Sequence, residues 1–348
     1  MLRTAVASAR VGLVESRLKR PFITAQGRRE STVNAALFLR LGGGAQGYGE
    51  ASTSIAQKHL TPAALRGALE KMALRARGRD VRSWRALVDE AWARHGDLSP
   101  AVAAFEAALL SALAAEAGTD LAGWLGGARR TLETDVTISA SNDPRETASA
   151  AAEAAAAGFR VLKVKVGGRE ADDLARVRAV RAAAPKARLL LDGNQGFAPA
   201  AALRFVAAVL KTGAEVELFE QPTPKADLAA LAFVAKRCPV PVAADESVAT
   251  PADAARAAAA GVTAINITLA KSGISRGLEI AAGARAAGLP LMIGCRAETA
   301  RGLGPSVHLA LGTGYFTWCD LDSDVLLAED AKERRAAGWT RRGRFASL

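Results

Sequence analysis

Three acidic residues each end a short apolar segment, and the pattern repeats through the second half of the chain. Asp192 ends R-L-L-L-D, Glu220 ends V-E-L-F-E and Asp245 ends V-A-A-D. If each segment is a buried strand, each carboxylate lies where the chain leaves the core. Mg²⁺ prefers oxygen ligands, and no His or Cys occurs in these motifs. One such acid alone could cap a helix, but three in equivalent positions predict a Mg²⁺ site.

Two lysines lie two residues apart in another strand-like segment, V-L-K-V-K-V, at Lys163 and Lys165. Residues two apart on a strand point to the same face. A cation beside a cation disfavours the charged form, so the pKa of one lysine should fall from about 10.4 toward neutrality. A lysine with such a pKa is a competent general base.

A third lysine, Lys271, follows the strand-like segment Ala264–Thr268, four strands after the one that carries the lysine pair. In an eight-stranded barrel, strands four apart lie on opposite sides of the mouth. Two bases on opposite sides of one carbon can remove a proton from one face and return it to the other. This geometry predicts racemisation or epimerisation.

The elements that must position these residues alternate regularly from Thr131 onward, strand-like segments being separated by Ala-rich helical stretches. Eight strands that alternate with helices favour a parallel barrel, whose functional residues lie at the strand ends. A doubly wound open sheet would call for a G-x-G-x-x-G turn after its first strand, and the chain has none there. The predicted strands are Thr134–Ser139, Val161–Val166, Arg188–Asp192, Val216–Glu220, Pro241–Asp245, Ala264–Thr268, Pro290–Gly294 and Phe316–Asp320.

The first 125 or so residues have an α+β pattern. The glycine-rich run Gly42–Gly49 leads into a short strand instead of a helix, so it predicts a hairpin turn and not a phosphate-binding loop. The predicted strands are Leu2–Leu18, Thr32–Leu41 and Gly47–Ala51, and the predicted helices are Pro62–Ala76, Arg82–Arg94, Pro100–Ala115 and Asp120–Leu125.

The net charge of +11, from 46 basic and 35 acidic residues, raises the possibility of a nucleic-acid-binding protein. The basic residues are spread along the chain without zinc-finger spacing or an RNA-binding motif, so we expect no nucleic-acid partner. The three cysteines show no C-x-x-C spacing and indicate a reducing compartment. No uninterrupted apolar run of about 18 residues occurs, so we expect no membrane span. We expect a cytoplasmic homo-oligomer.

Taken together, these motifs resemble those of the enolase superfamily, specifically its muconate-lactonizing subgroup, over nearly the whole chain. The resemblance implies a (β/α)₇β TIM-type barrel with an N-terminal α+β capping domain. We place the capping domain, with a mobile specificity loop beginning near Pro21-Phe22, at residues 1–127. The barrel then spans residues 128–324, and residues 325–348 are predicted to pack back on the capping domain.

The same resemblance implies a role for each motif. The three strand-end carboxylates would hold Mg²⁺, and Lys163 and Lys271 would be the acid/base pair, with Lys165 tuning the first. The metal would hold the substrate carboxylate and stabilise an enediolate intermediate. The implied metal ligands are Asp192, Glu220 and Asp245.

The segment Asp320-Leu321-Asp322 resembles the D-x-D motif of dipeptide epimerases, in which two acids hold the substrate α-ammonium. It implies a proton transfer at the α-carbon of the C-terminal residue of L-Ala-D/L-Glu or a related dipeptide. Alternatively this acid-rich turn only starts a loop. The site would then serve o-succinylbenzoate synthesis, muconate cycloisomerisation or N-acylamino-acid racemisation. A basic nucleic-acid-binding protein is the remote alternative.

The substrate side chain is left open by three arginines. Members of the subgroup that act on L-Ala-D/L-Glu carry an arginine in the mobile loop, at the position where this chain has Gly27, and Arg28 and Arg29 follow immediately after it. Arg296 stands where an apolar residue is expected. Any of the three could bind an acidic side chain, although Arg296 could instead pair with Glu298 or Asp322. The predicted substrate-binding set also includes Thr137, Asn194 and Glu298.

Overall fold

The computed structural model describes residues 2–328 and 331–348. It has one large hydrophobic core in the C-terminal part of the chain and a second in the N-terminal part. The N-terminal part is a three-stranded antiparallel sheet covered by helices. Its elements are β1 (Val6–Thr24), β2 (Gly27–Leu41), β3 (Gln46–Ala51), α1 (Pro62–Ala76), α2 (Trp84–His95), α3 (Ser99–Glu116) and α4 (Leu121–Trp124).

β1 and β2 form a long hairpin whose register runs from Val6–Leu41 to Thr24–Gly27. The segment predicted to be a mobile loop is the outer part of this hairpin. Its tip is hydrogen-bonded to the rim of the barrel: the Ile23 N–H donates to Ser139 Oγ over 2.5 Å. The Gln26 side chain donates to the Asn194 carbonyl over 3.0 Å. The segment that was predicted to be a mobile loop is therefore a β-ribbon that reaches across the barrel mouth.

The glycine-rich run makes the predicted turn between β2 and β3. Gly47 and Gly49 also allow α3 to pack closely on β3, because a Cβ at either position would overlap the backbone of Ala108 or Ala104. One stretch in residues 81–116 is apolar enough to cross a membrane, and 78% of it is buried inside the protein. Its apolar surface is accounted for by packing within the fold.

The C-terminal part is an eight-stranded parallel barrel in sequential strand order. The Asp135 N–H donates to the Cys319 carbonyl over 3.0 Å, which joins the last strand to the chain just before the first. Each strand lies within the segment predicted for it. The strands are β5 (Val136–Ile138), β6 (Val161–Lys165), β7 (Arg188–Asp192), β8 (Val216–Glu220), β9 (Val242–Ala244), β10 (Ala264–Thr268), β11 (Leu291–Gly294) and β12 (Phe316–Asp320).

Seven helices cover the barrel, one after each strand from β5 to β11. The Thr250 hydroxyl and the Asp253 carboxylate form a capping box at the start of the fifth of them, which satisfies backbone N–H groups that the helix itself cannot. The helices are α5 (Pro144–Ala156), α6 (Glu170–Ala183), α7 (Pro199–Leu210), α8 (Leu228–Ala235), α9 (Pro251–Ala260), α10 (Leu269–Ala286) and α11 (Gly304–Thr313).

The inside of the barrel has an apolar floor beneath a polar layer. Because side chains two apart on a strand share a face, each floor residue lies one step below a polar residue or glycine of the same strand. Leu190 lies below Asp192 in this way, and Leu218 lies below Glu220. The floor consists of Val161, Leu190, Leu218, Ala243, Ala264 and Met292, with Trp318 packed against it.

After the barrel the chain forms α12 (Ser323–Leu326), α13 (Ala331–Ala336), β13 (Thr340–Arg342) and β14 (Phe345–Ser347). This segment was predicted to pack on the capping domain. Leu327 does form a bridge with Leu18 of β1. The β13–β14 hairpin, however, pairs with β4 (Thr131–Glu133), the strand that leads into the barrel. Most of the segment therefore extends the barrel, because its strand edge pairs with β4.

Candidate active site

A cavity of about 410 Å³ lies between the capping domain and the C-terminal ends of the barrel strands. Most of the catalytic, metal-binding and substrate-binding residues predicted from the sequence line this cavity. Two predicted substrate-binding residues, Arg28 and Glu298, are not among the described residues that line it. The predicted residues that line it are Lys163, Lys165, Lys271, Asp192, Glu220, Asp245, Asp320, Asp322, Thr137, Asn194, Arg29 and Arg296.

Lys163 is buried and lies among three carboxylates. Its Nζ is 2.6 Å from Asp320 Oδ2, 2.7 Å from Glu220 Oε2 and 3.1 Å from Asp192 Oδ2. Lys165 Nζ is 2.5 Å from Asp192 Oδ2. Both ammonium groups point into the barrel mouth, as predicted for residues two apart on one strand.

The prediction that the lysine pair lowers its own pKa is wrong for this arrangement. Burial does lower the pKa of Lys163, but the charges of Asp320, Glu220 and Asp192 outweigh it and raise that pKa well above its ordinary value. The pKa of Lys165 is also raised, since the charge of Asp192 outweighs burial and the neighbouring Lys163. The prediction weighed one lysine against the other and left out the closer carboxylates.

Lys271 faces the mouth from the opposite side, on the first turn of α10. Its Nζ donates to the Asp245 carbonyl over 2.5 Å and forms an ion pair with the Asp245 carboxylate. Just beyond it the helix is interrupted at Gly273, whose φ of 68° favours glycine. Glu106 of α3 then accepts the backbone N–H of Ile274 over 2.7 Å. A buried acid of the capping domain thus fixes the turn that presents Lys271.

The three predicted metal ligands are held by tight turns at the ends of their strands. Gln221, directly after Glu220, has a positive φ of 32°. Its side-chain Oε1 accepts the backbone N–H of Asp245 over 2.9 Å and that of Ser247 over 3.2 Å. Gln221 therefore braces one ligand strand against the next. No role was predicted for Gln221 from the sequence, although it directly follows the predicted ligand Glu220.

Carboxylates outnumber ammonium groups in the lower cavity. The strand ends contribute six carboxyl groups and three lysines to the lining. Burial, followed by the charge of Asp192, raises the pKa of Glu220 to about 7. Burial and the charge of Asp245 raise the pKa of Glu246 to about 8, and Glu246 Oε2 has no hydrogen-bond partner among the described residues. An excess of buried oxygen ligands fits a hard divalent cation such as Mg²⁺. Glu246, which directly follows Asp245, was not predicted to contribute.

A second acidic group lies at the end of β12. Asp322 Oδ2 accepts the Thr137 backbone N–H over 2.6 Å, while Asp320 Oδ2 contacts Lys163. The ligand atoms of Asp320, Asp322 and Cys295 all lie within 4.8 Å of one another. Burial and the charge of Asp320 raise the pKa of Asp322 to about 6. Two acids confined in so small a space favour a cationic ligand beside them.

The three arginines differ in where they point. Arg28 is exposed and pairs with Glu30 over 2.8 Å, whereas Arg29 and Arg296 line the cavity. Arg296 Nη2 donates to Gln57 Oε1 over 2.8 Å, and its Nη1 is buried without a hydrogen-bond partner among the described residues. Glu298 lies behind it and accepts the Arg296 backbone N–H over 2.7 Å. Glu298 therefore holds the loop that carries Arg296.

Comparison with known proteins agrees with this geometry. Residues 146–339 match a family model described as Enolase C-terminal domain-like. The chain is 39% identical over 316 residues to the aromatic dipeptide epimerase of Herpetosiphon aurantiacus, covering 90% of this chain and 88% of that one. It is 36% identical over 333 residues to the L-Ala-D/L-Glu epimerase of Thermotoga maritima, with coverages of 93% and 94%.

Among solved structures, the dipeptide epimerase of Enterococcus faecalis, complexed with Mg and the dipeptide L-Leu-L-Tyr, superposes with a TM-score of 0.90. Its sequence identity is 28%, and the alignment covers 99% of this chain and 97% of that one. The barrel, the capping domain and their relative placement are thus shared with a protein whose structure holds both a metal and a dipeptide.

Proposed function

The chain belongs to the enolase C-terminal domain-like family, and from this premise we propose that it is a Mg²⁺-dependent dipeptide epimerase. It would invert the α-carbon of the C-terminal residue. The observation that carries the proposal is the placement of Lys163 and Lys271 on opposite sides of one cavity, with the acid pair Asp320 and Asp322 on a third side. Curated relatives with this architecture are named as dipeptide epimerases.

The two lysines would perform the proton transfer. A substrate α-carbon between them presents one face to each ammonium or amine group. The neutral lysine on one side removes the α-proton, and the protonated lysine on the other side delivers one to the opposite face. Lys165, which shares Asp192 with Lys163, would influence the protonation of its neighbour and contact no reacting atom.

Asp192, Glu220 and Asp245 would hold the Mg²⁺, since they supply only oxygen donors from three adjacent strands. When bound, the ion supplies positive charge that stabilises a substrate carboxylate as it gains negative charge. Gln221, through its hydrogen bonds to the Asp245 and Ser247 backbone, would keep the third ligand in place during turnover.

Asp320 and Asp322 would bind the α-ammonium of the dipeptide. We expect Asp322→Asn to lower kcat/KM for a free dipeptide about 10- to 100-fold, because a hydrogen bond to a charged group contributes about 1.5–3 kcal/mol. The matched measurement uses the same dipeptide with an acetylated amino group, which carries no charge there. The variant should lose little activity with that substrate. Equal losses of activity with both substrates would contradict a role of Asp322 in binding the substrate ammonium group.

Arg296 would recognise an acidic side chain on the substrate. A buried guanidinium with an unpartnered Nη1 is costly unless an anion reaches it, and the cavity is where such an anion would lie. We expect the enzyme to prefer L-Ala-L-Glu to the isosteric L-Ala-L-Gln. Arg296→Met should reduce that preference about 10- to 100-fold.

The control for this prediction is Arg28→Met, which removes an exposed arginine paired with Glu30 and should leave the preference unchanged. Initial epimerisation rates with both dipeptides would measure it. A wild-type enzyme that prefers L-Ala-L-Phe to L-Ala-L-Glu would contradict the acidic assignment and align the chain with the aromatic epimerase of Herpetosiphon aurantiacus.

We also propose that the protein functions in the cytoplasm. All three cysteines are free thiols, which supports the expected reducing, cytoplasmic compartment.

A further inference from the structure

A further buried acid, Asp135, lies under the ammonium-binding pair and has no role in the proposed reaction. It precedes β5, and its side chain shares a face with that of Thr137, which lines the cavity. Asp135 therefore points into the barrel one layer below the cavity. It is 2% exposed, and neither of its carboxyl oxygens accepts a hydrogen bond from a donor group of the described residues.

The backbone on both sides of Asp320 is fixed to this same segment. The Asp135 N–H donates to the Cys319 carbonyl over 3.0 Å. The Thr134 hydroxyl also donates to that carbonyl, over 3.0 Å, and accepts the Leu321 N–H over 2.8 Å. Asp320 is thus held between two residues that are bonded to the segment carrying Asp135.

The Asp135 and Asp320 carboxyl groups contact each other. Asp320 Oδ2 is 2.6 Å from the Lys163 ammonium, but its Oδ1 also accepts no hydrogen bond from a donor within the described residues. Two ionised carboxylates in contact within a dry interior repel each other strongly. With a single proton between them, the same contact is a hydrogen bond that satisfies an oxygen of each.

The surroundings decide which acid carries that proton. Asp320 Oδ2 forms an ion pair with the Lys163 ammonium over 2.6 Å. Asp135 forms no ion pair within the described part of the chain, and burial together with the charges of Asp320 and Asp322 raises its pKa well above the ordinary value, although Lys163 opposes this.

We propose that Asp135 is a protonated carboxylic acid that donates a hydrogen bond to Asp320 Oδ1 and thereby positions Asp320. This inference deepens the proposed function, since Asp320 is there a ligand of the substrate ammonium and a partner of Lys163. Asp135 itself would contact neither the substrate nor the reacting atoms. It is a positioning residue that acts through Asp320.

Two substitutions test whether Asp135 acts as a neutral hydrogen-bond donor or as an ionised acid. Asp135→Asn keeps an N–H donor of the same shape and should stay within about threefold of wild-type activity. Asp135→Leu keeps the branched shape of the side chain without a donor and should lose at least about tenfold in activity, mainly as a higher KM for dipeptides with a free ammonium. A merely structural role would not distinguish the amide from the apolar side chain in this way. An Asn variant as impaired as the Leu variant would overturn the proposal.

Infrared spectroscopy tests the proton without requiring turnover or the Leu variant to fold. At neutral pH the wild-type protein should show the C=O stretch of a protonated carboxylic acid that is absent from Asp135→Asn. The control is Asp173→Asn, which removes a buried acid paired with Arg176 over 2.5 Å and should leave the band unchanged. Because the pKa values of Glu220 and Glu246 are raised to about 7 and about 8, the band of Asp135 is measured in the difference spectrum between the wild type and Asp135→Asn. A difference spectrum without a protonated carboxyl band would refute the protonated state. If the band behaves as expected but no dipeptide is epimerised, the proposed function fails and the assignment of the proton stands.

Discussion

Replacing either catalytic lysine with methionine should abolish epimerisation while leaving one-sided proton exchange. In Lys271→Met, Lys163 can still remove the α-proton from the face that it contacts and return a solvent-derived one to that same face. One epimer of the dipeptide should then exchange its α-hydrogen in D₂O without inverting. Lys163→Met should exchange the opposite epimer. Inversion should fall at least about a thousandfold in each, within the range of general acid–base catalysis.

Proton NMR of the α-hydrogen measures exchange, and circular dichroism of the dipeptide measures inversion. Methionine preserves the length of the side chain, and a thermal unfolding curve would show whether the variants fold, since Lys163 is enclosed by three acids. Lys186→Met, at an exposed position, is the control and should invert both epimers normally. If both catalytic-site variants exchanged the same epimer, the two lysines could not lie on opposite faces of the substrate.

The placement of the lysines on opposite sides was predictable because it depends only on strand order. The apolar segments gave all eight barrel strands, and a parallel barrel in sequential order puts β6 across from β10. The strand-end position of the three acids followed from the same pattern. These features are set by periodicity and connection, which are local properties of the sequence.

Features that depend on distances between side chains could not be predicted in this way. The sequence predicted that Lys163 and Lys165 share one face of a strand. It did not give the distance between these lysines and Asp320, which lies on the last barrel strand, β12. The sign of the lysine pKa shift depends on that separation and was predicted wrongly. Asp135 was overlooked because a single acid near the start of a predicted strand forms no motif, and only the backbone pairing with Cys319 of β12 brings it beside Asp320.

The arginines illustrate a register effect. Arg28 and Arg29 are adjacent on β2, so their side chains point to opposite faces of the hairpin. Only the pairing of β1 with β2, which sets Arg29 opposite Phe22 and Arg28 opposite Ile23, determines which of them faces the cavity. A shift of one residue would exchange them. Sequence alone therefore identified the candidates and could not choose between them.

Removal of divalent cations should have an effect of similar size to loss of a lysine. Treatment with a chelator should lower epimerisation about a thousandfold, and added Mg²⁺ should restore it. The reason is the excess of buried carboxyl groups over lysines in the lower cavity. Without a cation, those carboxylates raise the pKa values of Lys163 and Lys165 and leave the substrate carboxylate without a positive partner. Full activity in the presence of a chelator would contradict a metal-dependent reaction.

The ligand assignment is tested by Asp192→Asn, Glu220→Gln and Asp245→Asn, each of which removes a charge while keeping the size of the side chain. Each variant should need a higher Mg²⁺ concentration for half-maximal activity, and calorimetry should detect weaker Mg²⁺ binding independently of turnover. Asp172→Asn alters an exposed acid paired with Arg169 and should bind Mg²⁺ as the wild type does. The Glu246→Gln variant tests whether Glu246 binds the Mg²⁺ itself or only lies beside the residues that bind it. If the three predicted acids form the complete protein ligand set, this variant should leave Mg²⁺ affinity within a few-fold of wild type. A loss as large as theirs would make Glu246 a fourth ligand.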